Sequence, residues 1–151
     1  YQHWDMTTLG WKYNMDNIQA ALLLPQMDRL DRKWLMREEL AQYYEDQLRE
    51  IDTIKRVATL PGVKHAWHLF PIRVKNRDTL ITRLQERGIS LMVNYRAIHL
   101  LTYFRDKLNC RLGDFPHAEQ FGDEVISLPF YPGMQREHVD YVVKNLRELC
   151  T

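Results

Sequence analysis

The chain has 151 residues, 45% of them hydrophobic and 27% charged, which is the composition of a soluble globular domain with a core of its own. Its 21 basic and 20 acidic side chains nearly cancel, so a nucleic-acid-binding protein is disfavoured. The longest unbroken apolar run covers residues 20–24, far fewer than the ~20 residues that cross a bilayer, so we expect no membrane span.

The N-terminus lacks the pattern of a signal peptide, and Cys110 and Cys150 have neither metal-binding nor disulfide spacing. We therefore expect a cytoplasmic protein with reduced thiols. Tyr1 stands where an initiator methionine would, which leaves open whether the chain is a fragment, a processed product or a natural truncation.

A long apolar helix over residues 16–51 is the first predicted element, after a loop over residues 1–15. Asp16 and Gln19 have the spacing of a capping box, and the next turns are apolar on every side, as in helices buried in a large protein or an interface. Pro25 removes one helical N–H and is expected to kink the helix. Beyond it the apolar positions form one stripe, which consists of Met27, Leu30, Trp34, Ala41, Tyr44, Leu48 and Ile51.

Residues 55–151 are predicted to form one α+β domain. Runs rich in aromatic and β-branched residues predict three strands, which cover residues 55–59, 66–74 and 89–94. Pro71 is expected to place the second strand at a sheet edge or a bulge. Helices are predicted after an Asn76 cap, over residues 101–108, from Pro116 to about residue 125, and after Gly133. The chain is therefore predicted to be a small, mostly antiparallel sheet packed with helices and preceded by a long kinked helix.

The sequence contains no complete catalytic constellation. It has no nucleophile elbow, no glycine-rich phosphate loop and no carboxylate pair that its spacing sets apart. His65 and His68 are three apart on a predicted strand, where they would point to opposite faces and could not share a metal ion. We therefore expect no metal site and no catalytic residue in this chain.

Three groups of polar and aromatic side chains at the ends of predicted elements are candidates for binding. The first stands at the entrance of the long helix, where backbone amides and an ammonium group suit a phosphate; a basic loop near a helix cap is the alternative. In the other two, aromatic rings can stack on a sugar or base and cations can pair with phosphates. The groups are Lys12, Tyr13 and Asn14; His65, Trp67 and His68; and Tyr95, Arg96 and His99.

Five segments, taken in order, resemble the C-terminal part of the DegT/DnrJ-type nucleotide-sugar aminotransferases. They are GWKYNMDNIQAALLLPQMDRLD, HAWHLFPIRV, RDTLITRLQERGIS, NYRAIHLLTYFRDKL and FPHAEQFGDEVISLPFYPGM. The KYN form of the first motif, together with HAWHLF, is most similar to the branch that makes 4-amino-4-deoxy-arabinose on a uridine diphosphate carrier.

The resemblance implies the small C-terminal domain of a fold type I enzyme that uses pyridoxal 5′-phosphate. In this family glutamate donates the amino group, becoming 2-oxoglutarate, and a keto group on a nucleotide-linked sugar accepts it. The lysine that holds the cofactor as a Schiff base lies N-terminal to everything present here, so the isolated chain is expected to be inactive.

The resemblance also implies roles for the three groups. Lys12, Tyr13 and Asn14 would reach the cofactor phosphate of a second subunit, in a homodimer formed through residues 10–26. The commoner family pattern has Asn where Lys12 stands and a basic residue where Asn14 stands, which leaves open which of the two touches phosphate. The other two groups would line the sugar-nucleotide pocket. A non-catalytic binding or dimerisation module with the same fold, and a bare helical interaction domain, are the alternatives.

Overall fold

The computed structural model describes residues 10–150 of the chain. Its elements, in chain order, are helices α1 (Asn17–Met27) and α2 (Leu30–Leu48), strands β1 (Lys55–Arg56) and β2 (Phe70–Arg73), helix α3 (Arg77–Gln85), a 3₁₀ helix (Ile98–Leu100), helices α4 (Thr102–Leu108) and α5 (Pro116–Glu124), strand β3 (Val125–Leu128) and helix α6 (Arg136–Leu149). Six α-helices and one antiparallel sheet in the described residues confirm the predicted α+β class. None of the described helices has the length and apolar character needed to cross a membrane.

The chain divides into two compact units, one ending at Arg32 and the other beginning at Lys33. Of the predicted N-terminal loop, residues 1–9 lie outside the described residues.

Helix α1 of the first unit is capped as the sequence predicts. The Asp16 carboxylate accepts a hydrogen bond from the Gln19 amide at 2.8 Å, which satisfies one of the free N–H groups of the first turn. Although the helix is strongly apolar, none of its residues is buried within this chain. Its apolar surface is therefore available to protein that this chain does not supply.

The helix predicted over residues 16–51 is interrupted shortly after Pro25. Pro25 lies inside α1, which continues to Met27, and the break falls at Asp28 and Arg29. There the Arg29 backbone amide donates a hydrogen bond to the Gln26 carbonyl at 3.2 Å. The Nε atom of the Arg29 side chain donates to the Pro25 carbonyl at 2.8 Å. The single kinked helix predicted over residues 16–51 is thus divided into two helices.

The second unit has one core, in which side chains from α2 meet one face of the sheet. Alternation along β2 buries Phe70 and Ile72, and the ring of Tyr44 stacks on Phe70 with centroids 4.8 Å apart. The Tyr44 hydroxyl donates to the Pro129 carbonyl at 3.0 Å, and burial raises its pKa well above the ordinary value. Helix α6 completes the core with Val139, Val142, Val143 and Leu146.

The sheet has the order β1-β2-β3, so β2 is central. Pro71 is nevertheless tolerated, because β1 pairs only with Ile72 and Arg73. At Pro71 the strand has β3 alone as a neighbour, through Ser127, so the missing N–H need not interrupt a second ladder. The sheet is locally two strands wide there, which is the edge character that the proline predicts.

The strands are shorter than the sequence predicts, because β1 and β2 cover residues 55–56 and 70–73 instead of 55–59 and 66–74. The strand predicted over residues 89–94 is reduced to one isolated bridge between Met92 and Ser127. The helix predicted to run to about residue 125 ends at Glu124, as predicted, but strand β3, which the sequence did not predict, follows at once. All of β3 is buried, so the strand has no alternating pattern by which the sequence could distinguish it from the end of a helix.

Asn76 does not cap α3 as predicted. Its backbone is left-handed, with φ of 54°, and its side chain makes no capping hydrogen bond. A capping residue needs extended backbone to aim its side chain at the first turn, and Asn76 instead uses the left-handed conformation that asparagine tolerates. Gly88 has φ of 74° and ends the α3 segment where predicted.

Candidate functional site

The first predicted group lies in the irregular segment before α1 and is fully presented to solvent. The Tyr13 side chain is 85% exposed, and Lys12 and Asn14 are exposed as well. An ammonium group, an amide and a phenol beside the N-terminal end of a helix suit an anionic group. These three consecutive residues lie in the exposed segment directly before α1.

The second group is organised by hydrogen bonds to α2. Trp34 Nε1 donates to the His65 carbonyl at 2.8 Å, and Trp67 Nε1 donates to the Glu38 carboxylate. The His65 Nδ1 atom accepts from the Trp67 amide at 2.9 Å, so a neutral His65 carries its proton on Nε2. The ring centroids of His65 and Trp67 lie 4.3 Å apart. The sequence did not predict the contacts that fix these two residues.

A cavity of about 760 Å³ lies beside this group, and His65 and Trp67 are among its lining residues. Lys64 Nζ stands 4.0 Å from the centre of the Trp34 ring, which also lines the cavity. Indole faces and charged groups around one space suit a polar ring such as a sugar. His68 is exposed and is not among the residues that line this cavity.

The third group lines a separate cavity of about 520 Å³. Tyr95 is 68% exposed and Arg96 is exposed too, so a ring face and a guanidinium are both free to meet a ligand. His99 is different: it is 9% exposed, and its Nε2 atom lies 2.8 Å from the Glu119 carboxylate. The structure thus brings His99 next to Tyr95 and Arg96, but as a buried and paired side chain.

Glu119 is a residue at this site that sequence reasoning missed. Besides His99, it accepts hydrogen bonds from the Gly113 amide at 2.9 Å and the Phe115 amide at 3.2 Å. Burial raises the pKa of its carboxyl, but the hydrogen bonds from His99, Gly113 and Phe115 together hold the pKa below the ordinary value. Its position in the first turn of α5 is typical of a solvated acidic residue. Its contact with His99, 20 positions away, is visible only in the structure.

Residues 1–147 match the model of the DegT/DnrJ/EryC1/StrS aminotransferase family. The erythromycin biosynthesis sensory transduction protein EryC1 of Saccharopolyspora erythraea is 36% identical over 91% of this chain and 38% of its own length. The crystal structure of S. venezuelae DesV in complex with a ketimine intermediate is 31% identical, with a TM-score of 0.88 over 99% of this chain and 40% of that one. Spr1654 of Streptococcus pneumoniae, described as a sugar aminotransferase, has a TM-score of 0.86 in its PLP form at 28% identity, covering 97% of this chain and 38% of its own.

The chain belongs to the DegT/DnrJ/EryC1/StrS aminotransferase family. It spans about 40% of the length of the relatives that it matches. The family that the five motifs predict is confirmed, and pyridoxal phosphate, the cofactor that the resemblance implies, is the group present in the PLP form of Spr1654.

The residues of this chain fit one part of that cofactor. The exposed group at residues 12–14 suits its phosphate. None of the lysines in the described residues is buried, and Lys33 is the one that is half-buried. Residues 10–150 therefore enclose no lysine within this chain.

Proposed function

We propose that this chain is the C-terminal part of a pyridoxal-phosphate-dependent transaminase that moves an amino group from glutamate to a keto sugar on a nucleotide diphosphate carrier. The observation that carries the proposal is the likeness to DesV, at 31% identity and a TM-score of 0.88 over 99% of the chain. The cofactor supplies the electron sink that lets an amino group leave one carbon and join another. In this division of labour the chain binds and orients, and the remainder of the enzyme holds the cofactor's reactive carbon.

Lys12, Tyr13 and Asn14 serve the cofactor phosphate across the interface of a homodimer formed through residues 10–26. Support comes from the exposure of all three side chains and from the unburied apolar surface of α1 directly after them. The ammonium of Lys12 contributes charge and the Asn14 amide a directed hydrogen bond. Residues 16–51 act as the interface helix region and residues 55–151 as the small domain.

The two cavities divide the sugar nucleotide between them. Tyr95 and Arg96 offer a ring face and a guanidinium, which suit a base and a diphosphate. His65 and Trp67, whose orientations α2 fixes, suit the sugar, and the exposed His68 stands at the margin. The buried His99 contributes by holding the Tyr95 segment.

The sugar is a 4-keto form of arabinose on uridine diphosphate, the enzyme is cytoplasmic, and the isolated chain is inactive. The KYN and HAWHLF motifs support the branch, and the family resemblance, which places the Schiff-base lysine N-terminal to this chain, supports inactivity. Titration with the uridine, guanosine and thymidine diphosphates tests the branch, since we expect uridine diphosphate to bind most tightly.

The function is tested by borohydride trapping and reconstitution. The chain incubated with pyridoxal phosphate and borohydride should carry no stoichiometric pyridoxyl group on any one lysine, and a single fully labelled lysine would contradict the proposal. Mixing with the separately expressed N-terminal part of the enzyme should restore amino transfer from glutamate. A stable complex that binds the cofactor but transfers no amino group would favour the non-catalytic module.

The Lys12→Met variant tests the phosphate role in the reconstituted enzyme. Loss of a charge-assisted hydrogen bond costs about 1.5–3 kcal/mol, so the Kd for pyridoxal phosphate should rise roughly 10- to 100-fold. Lys144→Met, which removes an exposed ammonium from α6, is the matched control. Equal Kd values for the two variants would assign the phosphate contact elsewhere, and the same titration on Asn14→Ala decides between Lys12 and Asn14.

A further inference from the structure

The segment of residues 94–100 presents the exposed Tyr95 and Arg96 but has little regular structure of its own. Its only helical part in the described chain is the three-residue 3₁₀ helix Ile98–Leu100. Short irregular segments keep a fixed position only when other elements hold them. The neighbouring element here is α5.

The first tie to α5 is the Glu119 carboxylate. Glu119 is 8% exposed, and its Oε1 atom lies 2.8 Å from His99 Nε2. The same carboxylate accepts the Gly113 amide at 2.9 and 3.0 Å and the Phe115 amide at 3.2 Å. One side chain therefore joins the 3₁₀ helix to the turn that precedes α5, and the Phe115 ring packs edge-on against His99 with centroids 4.8 Å apart.

The second tie is a close approach of the two backbones at Gly122. A Cβ added to Gly122 would lie 2.7 Å from the Ala97 nitrogen and 3.2 Å from the Arg96 carbonyl carbon. Only glycine permits this distance, because the opposing atoms are backbone and cannot rotate away. The chain at Arg96 and Ala97 thus rests directly on α5, one turn from Glu119.

We propose that Glu119 is a positioning residue for the substrate-binding segment: by holding His99, it fixes the Arg96–Ala97 backbone against Gly122 and presents Tyr95 and Arg96 to a nucleoside diphosphate. The inference rests on the proposed function for the identity of the ligand. The positioning itself rests on the buried contacts of Glu119 and on the glycine contact. Tyr95 and Arg96 touch the ligand, whereas Glu119 acts through His99.

The test compares Glu119→Ala and Glu119→Gln with Asp123→Asn, which removes an exposed carboxylate from the same helix. Amide hydrogen exchange is followed at Leu100 and Leu101, whose N–H groups close the 3₁₀ turn at 3.0 Å. We expect Glu119→Ala to speed their exchange at least tenfold while the amides of the buried strand β3 exchange as in the wild type. Glu119→Gln should restore much of the protection, because an amide oxygen in the place of Oε1 can accept from His99 Nε2 and from the Gly113 and Phe115 N–H groups.

Binding of uridine 5′-diphosphate, measured by calorimetry on the same proteins, is the second readout. We expect the Kd to rise about tenfold for Glu119→Ala and to stay at the wild-type value for Asp123→Asn. If the wild-type chain binds no uridine diphosphate, the proposed ligand is wrong, while hydrogen exchange still decides the positioning. If Glu119→Ala does not fold, His99→Ala removes the other partner of the same contact and should give the same local increase in exchange.

Two results for the single variants would overturn the inference. One is wild-type exchange at Leu100 and Leu101 in Glu119→Ala or His99→Ala. The other is an equal acceleration at every amide, including those of β3, because a purely structural role lowers the stability of the whole unit. A double variant that exchanges faster than either single variant would also contradict it, since two residues acting through one contact should be non-additive.

Discussion

Arg77 is a buried guanidinium that joins α3 to the end of α5 and the start of β3. It is 8% exposed, and its Nη1 atom donates to the Gly122 carbonyl at 2.7 Å and the Val125 carbonyl at 3.1 Å. Its Nε donates to the exposed Asp78 at 2.7 Å. The carbonyls at a helix C-terminus lack helical partners, so this arginine satisfies groups that would otherwise be buried without a hydrogen bond.

We expect Arg77→Met to lower the free energy of unfolding by about 2–4 kcal/mol, because two buried carbonyls lose a charged donor. Arg83→Met, which replaces an exposed arginine of the same helix, should change it by less than about 0.5 kcal/mol. Urea unfolding followed by circular dichroism measures both values. Similar losses for the two variants would show that the Arg77 hydrogen bonds contribute little.

The sequence predicts residue types at the site better than it predicts residue contacts. Aromatic and cationic side chains at residues 65–68 and 95–99 stand out by type, and the structure puts two of the first group and all three of the second on a cavity wall. Glu38 and Glu119 are indistinguishable in sequence from the many solvated acidic residues of their helices, because their partners lie 29 and 20 positions away. A hydrogen bond between distant residues leaves no periodic signal.

At the scale of elements, α5 is attached to the sheet by an ion pair. Arg73 of β2 donates to the Glu124 carboxylate through Nε at 3.0 Å and Nη2 at 2.6 Å. Gln120 donates to the other carboxylate oxygen at 3.0 Å. The hydrogen bond from Gln120, followed by those from Arg73, lowers the pKa of Glu124 below its ordinary value, against the opposing effect of burial.

This shift predicts an acid-dependent loss of stability. Because the folded-state pKa lies below the ordinary value of 4.5, ionised Glu124 stabilises the fold fully above that value, and its contribution is lost as the pH falls through the folded-state pKa. The difference in unfolding free energy between wild type and Glu124→Gln should therefore be constant near neutral pH and shrink on acidification. A difference for Glu124→Gln that stays constant on acidification would exclude the linkage.

Elements were predictable where one face is buried and the other solvated. The stripe predicted for the long helix has that pattern over Ala41, Tyr44, Leu48 and Ile51, which lie in the core, whereas Met27 and Leu30 of the same stripe are 62% and 51% exposed. Helix α6 also places one face in the core. Strand β3 is buried on both faces. At the break after Met27, the Arg29 side chain donates a hydrogen bond to the Pro25 carbonyl. Neither a two-sided burial nor a choice between two hydrogen bonds is encoded in the spacing of apolar residues.

On the scale of the whole molecule, the two units differ in how they use their apolar residues. The second unit encloses a core that draws on α2, β2, α3, β3 and α6. Helix α1 of the first unit has no buried residue, and Ile18 and Leu22 are 75% and 63% exposed. An apolar surface of this kind marks a contact with other protein.

The last prediction follows from that surface. Ile18 and Leu22 are four residues apart on one face of α1, so we expect the isolated chain to self-associate with increasing concentration in sedimentation equilibrium. The double variant Ile18→Glu, Leu22→Glu keeps the helix, because glutamate is a good helix former, but places charges in the contact and should raise the Kd of association at least about tenfold. Leu60→Glu, Val63→Glu changes two residues that are 73% and 55% exposed in a turn of the second unit and should leave association unchanged. A wild-type chain that stays monomeric at every concentration, or a control variant that dissociates as readily, would mean that α1 is covered by another part of the enzyme and not by a second copy.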